Sequence, residues 1–110
     1  MQQLAVHDLP ALIARTDDAP LVLDVREPWE VAFAPLAPAG ADVRHIPMGE
    51  LPARLAELDA DRPVVCVCHH GVRSAHVAAF LDRAGFGTVY NLAGGIDAWS
   101  RDVDPGVARY

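Results

Sequence analysis

The chain has 110 residues, 52% of them hydrophobic and 22% charged, with a net charge of −6 at neutral pH. That length gives one domain, residues 1–110, with a core of its own, and the composition excludes a disordered chain. Its nine basic residues are scattered rather than gathered into the stripe of a nucleic-acid binder, and no run approaches the ~18 apolar residues of a membrane span.

The N-terminus, Met1 to Asp8, lacks a basic residue and soon meets an acid, unlike a signal peptide, so a cytoplasmic location is expected. The first element is a short helix capped by Asp8, with Pro10 in its first turn and an apolar face of Leu9, Leu12 and Ile13. Leu21 to Val25 is a short, β-branched, nearly continuous apolar run and reads as a strand. The Pro- and Ala-rich stretch from Ala34 to Ala41 reads as a connection. Leu51, Leu55 and Leu58 then recur at helical spacing, with Pro52 tolerated in the first turn.

A second strand runs from Pro63 to Cys68. The helix after it begins at about Val72 to Ser74 and carries Val77, Phe80, Leu81 and Ala84 on one face. Arg83 and Gly85 close it with a cation near the C-terminus and a glycine cap. Thr88 to Leu92 is a third strand. Ile96, Ala98 and Trp99 belong to a last short helix, with Trp99 in the core, and the tail Asp102 to Gly106 leaves it over the surface. Apolar strands alternating with helices predict an open α/β fold around a parallel sheet covered on both faces.

The chain contains two cysteines, Cys66 and Cys68. A Cys-x-Cys ring is too small and strained to act as a structural disulfide, so both are expected to be thiols. Cys66 is flanked by valines within the strand and reads as core. Cys68 ends the strand, where ligands bind in open α/β sheets, and the loop His69-His70-Gly71-Val72-Arg73-Ser74 leads into a helix. Backbone N–H groups of that loop and the positive helix end favour a thiolate, and would hold an anionic substrate or a persulfide in the same way. Gly71 permits the tight turn.

Arg73 either binds a donor's oxyanion or braces the loop. Ser74 either donates to the sulfur or caps the helix. Asp24 and Arg26, at the end of the first strand, either pair with each other or leave Arg26 facing substrate. Glu30 is a partner for Arg26 or an acid at a helix start. No metal is expected, because Cys66, Cys68, His69 and His70 crowd into five positions, closer than ligands that wrap zinc tetrahedrally.

The run Cys68-His69-His70-Gly71-Val72-Arg73-Ser74 resembles the active-site loop of the rhodanese family. Three further segments match that family in order: Asp24-Val25-Arg26 with Glu30 following, His45-Ile46-Pro47, and Asn91-Leu92-Ala93-Gly94-Gly95-Ile96-Asp97-Ala98-Trp99. The ending from Val103 to Tyr110 is similar to rhodanese domains fused behind enzymes that adenylate sulfur-carrier proteins. One departure is Ala34 to Ala41, which lacks the His of the family's Gly-His-Ile-Pro-Gly-Ala run.

The resemblance implies an open, mostly parallel five-stranded sheet with helices on both faces and no cofactor. It implies a sulfurtransferase in which Cys68 carries sulfur as a persulfide, with His69, His70, Gly71, Val72, Arg73, Ser74 and Arg26 at the substrate and Asp24 and Glu30 in support. The expected partners are a small anionic sulfur donor such as thiosulfate, a cyanide or thiol acceptor, and a sulfur-accepting protein as a further candidate. A non-turnover persulfide carrier or redox-responsive binding module would use the same residues. A Cys-dependent phosphatase or arsenate reductase fits less well, since the related phosphatases carry Cys-x5-Arg and this loop is the shorter Cys-x4-Arg, too tight for a tetrahedral phosphate.

Overall fold

Val22, Leu23 and the whole run Val64 to Val67 have no solvent exposure, the state of strands covered on both faces. The computed structural model, which describes residues 1–110, arranges five strands in one sheet: β1 (Gln2–Leu4), β2 (Leu21–Asp24), β3 (Asp42–His45), β4 (Val64–Val67) and β5 (Val89–Leu92). Their order is β1-β5-β4-β2-β3, and every neighbouring pair is parallel. The expected rhodanese-like α/β sheet is therefore present. Both edge strands, β1 and β3, are half-exposed and carry no apolar run, so the sequence pattern alone marked only the three inner strands.

The two-residue period of β4 divides the core. Val65 and Val67 face a layer containing Leu9 and Ile13 from α1 (Leu9–Ile13) and Ile96, Ala98 and Trp99 from α5 (Gly95–Asp102). Val64, Cys66 and Cys68 face the other layer, with Leu51 of α3 (Leu51–Arg54) and Val77, Ala78 and Leu81 of α4 (Val72–Arg83). Burying each Val, Leu or Ile among them contributes about 1.5–3 kcal/mol.

Helix α4 ends at Arg83 in a Schellman arrangement. The Phe86 N–H donates to the Leu81 carbonyl at 3.1 Å and the Gly85 N–H to Asp82 at 3.2 Å. Phe86 and Leu81 are both buried in the α4 layer, which is the hydrophobic contact expected with that cap. Two local readings change. Asp8 stands at the N-cap of α1, but its side chain makes no capping bond, because a 3-10 turn over Val6–Asp8 already leads into the helix. The Leu51–Leu58 helix is broken: α3 is one turn flanked by 3-10 turns at Met48–Glu50 and Leu55–Glu57, and only Leu51 is fully buried. No helix is long and apolar enough to cross a membrane.

Candidate active site

Strand β4 delivers Cys68 to the carboxyl end of the sheet, and the polarity of the next peptides decides what surrounds its sulfur. The Cys68 carbonyl accepts the Ile96 N–H at 2.9 Å and the His69 carbonyl accepts the Asp97 N–H at 3.0 Å, so the first turn of α5 holds these two oxygens. The approach leaves no room at Gly95, where a Cβ would run into the Cys68 and His69 carbonyls. With the carbonyls held there, the chain turns back through Gly71 at φ +95°, in the left-handed region that glycine adopts most readily. The Gly71 N–H then donates to Cys68 Sγ at 3.1 Å and the Ser74 N–H at 3.3 Å, and the Ser74 hydroxyl stands 3.2 Å away. Ser74 lies in the first turn of α4, so the sulfur meets free N–H groups and the positive end of a twelve-residue helix together. Three donors thus converge on one sulfur.

Arg73 does not point at the sulfur. Its two terminal nitrogens donate to the two oxygens of Glu30, on helix α2 (Pro28–Phe33), at 2.7 and 2.9 Å. The Glu30 carboxylate also accepts the Tyr110 hydroxyl at 2.6 Å and the Glu27 N–H at 3.1 Å. The Arg73 fork, with help from Tyr110 and Glu27, outweighs burial and lowers the Glu30 pKa from 4.5 to about 2. Glu30 in turn raises that of Arg73.

Arg26 corrects the expectation that it faces substrate. It is fully buried, with Nε and Nη2 on the Asp24 carboxylate at 2.8–3.2 Å. Its remaining donors reach the Ala34 and Glu30 carbonyls and the Tyr110 oxygen. The physical reason is the cost of burying a guanidinium, which is met only when its donors are paired. Arg26 and Asp24 therefore form a structural pair that ties α2 to β2.

His69 lies in a stack of rings, 3.7 Å from Tyr110 and 3.9 Å from His70, centre to centre. Burial, and then the neighbouring His70, hold its pKa below the usual histidine value. His70 is exposed, and Val72 is 67% exposed at the loop surface. Trp29 and Phe33 of α2 set their edges against Tyr110 and are themselves open to solvent. Cys66 is fully buried in the α4 layer, and burial pushes its thiol up to about 12.

Two residues at the site went unassigned in the sequence. Tyr110 joins Glu30, Arg26 and His69, and only its place in the family-like ending marked it. Asn91, at 2% exposure, donates to the Gly71 carbonyl at 3.1 Å and accepts from the Ser74 hydroxyl at 2.5 Å. A polar residue inside the apolar Thr88–Leu92 run was the available signal.

A parallel sheet, a cysteine at a strand end and a backbone cradle closed by an Arg–Glu fork define a class of cysteine-centred α/β domain. The Rhodanese-like domain family matches residues 6–102, and the chain belongs to that family. It is 37% identical over 108 residues to a sulfurtransferase of Allochromatium vinosum, covering 98% of this chain and 96% of the relative. It is 34% identical to the thiosulfate sulfurtransferase GlpE of Stutzerimonas stutzeri, covering 72% of this chain and 69% of that one. A rhodanese-related protein of Thermoplasma volcanium superposes with a TM-score of 0.79 at 33% identity, over 100% of both chains.

Proposed function

We propose that this protein is a sulfurtransferase that moves a sulfane sulfur from a donor such as thiosulfate to cyanide or a thiol, through a persulfide on Cys68. The carrying observation is the convergence of the Gly71 N–H, the Ser74 N–H and the Ser74 hydroxyl on Cys68 Sγ. In the loading step the thiolate attacks the outer sulfur of thiosulfate. A new S–S bond forms, the old one breaks, and sulfite leaves with the electron pair. In the unloading step cyanide attacks the outer sulfur, thiocyanate departs and the Cys68 thiolate returns. Negative charge stays on sulfur throughout, on Sγ in the thiolate and on the outer sulfur in the persulfide, and the backbone N–H donors of the loop are fixed beside both.

A second reading is favoured by the exposed Trp29, Phe33 and Val72 beside the loop. Large apolar side chains left open at a site suit a protein surface, so the acceptor in this reading is a thiol on a docked protein.

The test is intact mass after brief exposure to thiosulfate, for wild type and Cys68→Ser, followed by cyanide. The reading requires a gain of one sulfur atom on wild type only, removed by cyanide as thiocyanate forms. No gain with thiosulfate or with a thiol persulfide would overturn it.

A further inference from the structure

The Ser74 hydroxyl has one proton and two acceptors within reach: Asn91 Oδ1 at 2.5 Å and Cys68 Sγ at 3.2 Å. The orientation of the Asn91 amide is fixed independently. Its NH2 donates to the Gly71 carbonyl at 3.1 Å and to Gln3 Oε1 at 3.0 Å, both acceptors, so the amide oxygen has to face Ser74. Ser74 is fully buried and Asn91 nearly so, and hydrogen bonds that water does not reach carry more energy than exposed ones. The hydroxyl can therefore exchange partners by rotation about its C–O bond, with no heavy atom moving.

We infer that Asn91 is a positioning residue that parks the Ser74 proton whenever the Cys68 Sγ is uncharged, so that the hydroxyl follows the charge through the sulfur-transfer cycle. The inference rests on the persulfide reading above. In the thiolate the charge sits on Sγ, and the hydroxyl turns to it. In the persulfide the charge moves to the outer sulfur while Sγ becomes a neutral, twice-bonded atom, and the hydroxyl turns back to Asn91. Loading exchanges a thiolate and a thiosulfate dianion for a persulfide anion and a sulfite dianion, so total charge is conserved and only its place on the protein shifts. An alternate acceptor stabilises the loaded form relative to the bare one. Without it, the serine proton turns to Sγ and the thiolate is favoured.

The readout is the fraction of chain carrying the extra sulfur by intact mass, at equilibrium with a fixed ratio of thiosulfate to sulfite. Asn91→Ala is expected to shift loading about fivefold toward the bare thiolate. Asn91→Asp places a stronger, charged acceptor beside Ser74 and is expected to shift it about fivefold toward the persulfide. In a Ser74→Ala background the Ala and Asp variants should differ from each other by less than about twofold, since the shared proton is gone. Gln3→Ala, at an exposed position of an edge strand, loosens the amide without entering the core and should move loading in the same direction as Asn91→Ala. A merely structural role for Asn91 would move the Ala and Asp variants the same way. That result, unchanged loading in both, or a difference that persists without Ser74, would overturn the inference and leave the persulfide reading standing. A wild type that takes no sulfur from thiosulfate or a thiol persulfide would overturn both.

Discussion

Arg73 and Glu30 meet through both terminal nitrogens of the guanidinium and both oxygens of the carboxylate, at 2.7 and 2.9 Å, across 43 residues of sequence. Helix α2 thereby grips the turn that carries the cysteine cradle. Planar fork geometry is what Arg supplies and Lys does not. Arg73→Lys is expected to lower kcat for thiosulfate-to-cyanide transfer about tenfold, equivalent to ~1.4 kcal/mol, with KM for thiosulfate within about twofold. Steady-state kinetics decide it: a raised KM at unchanged kcat would place the guanidinium on the donor instead of in the brace.

The same carboxylate gives the fold a dependence on acid. Glu30 has a folded pKa of about 2 against an ordinary 4.5, so its charged form adds stability that is complete above about pH 5 and drains as pH falls toward 2. Glu30→Gln is expected to lose about 2 kcal/mol at pH 7, the scale of hydrogen bonds to a charged group. The gap in Tm between wild type and variant should narrow steadily below about pH 5. A gap that stays constant down to about pH 2.5 would show that Glu30 is not held in its charged form by its partners.

Tyr110 combines a polar contact with a packing one, and two substitutions separate them. Tyr110→Phe removes the bonds to Glu30 and Arg26 but keeps the ring on His69, at a cost of about 1–2 kcal/mol. Tyr110→Ala also strips the ring from His69, Trp29 and Phe33 and should cost about 3 kcal/mol or more. Urea unfolding would measure both. Equal losses would mean that the stack contributes nothing.

The two cysteines should separate cleanly. Cys66 is buried among apolar side chains, with a thiol pushed up to about 12 by that burial, so Cys66→Ala should retain persulfide loading within about twofold while losing about 1 kcal/mol of packing. Cys68→Ser should abolish loading, and Cys68→Ala should keep the fold, with Tm within about 5 °C of wild type. Loading by mass spectrometry and thermal melts of the three variants test this directly. Persulfide on Cys66 in the Cys68→Ala chain would contradict the assignment.

What could be read in advance was whatever the chain keeps contiguous. Cys68 to Ser74 is one uninterrupted segment, so its strand end, glycine turn and helix start were legible from residue types, while the grip of α5 on the Cys68 and His69 carbonyls was not. Arg26 was ambiguous because a guanidinium after a buried strand satisfies itself equally by pairing inward or by reaching out; burial settles the direction, and burial is a tertiary property. Tyr110 lies 80 residues from the carboxylate it binds, and no spacing rule spans that distance. Asn91 was hidden differently. Its place in β5 was visible, but its partners come from β1 and the cradle, and strand order is not written in any single strand. The edge strands β1 and β3 escaped because half-exposed strands need no apolar run.

The strand order has a consequence for how the protein comes into being. β1 precedes the other four strands yet pairs only with β5, the last of the five, and α5 follows to take hold of the Cys68 and His69 carbonyls. On the ribosome the first strand must therefore wait for some ninety residues before its hydrogen-bonding partner exists. A nascent chain already holding Cys68 still lacks the elements that orient its cradle, so the donors around that sulfur are assembled only once β5 and α5 have been added.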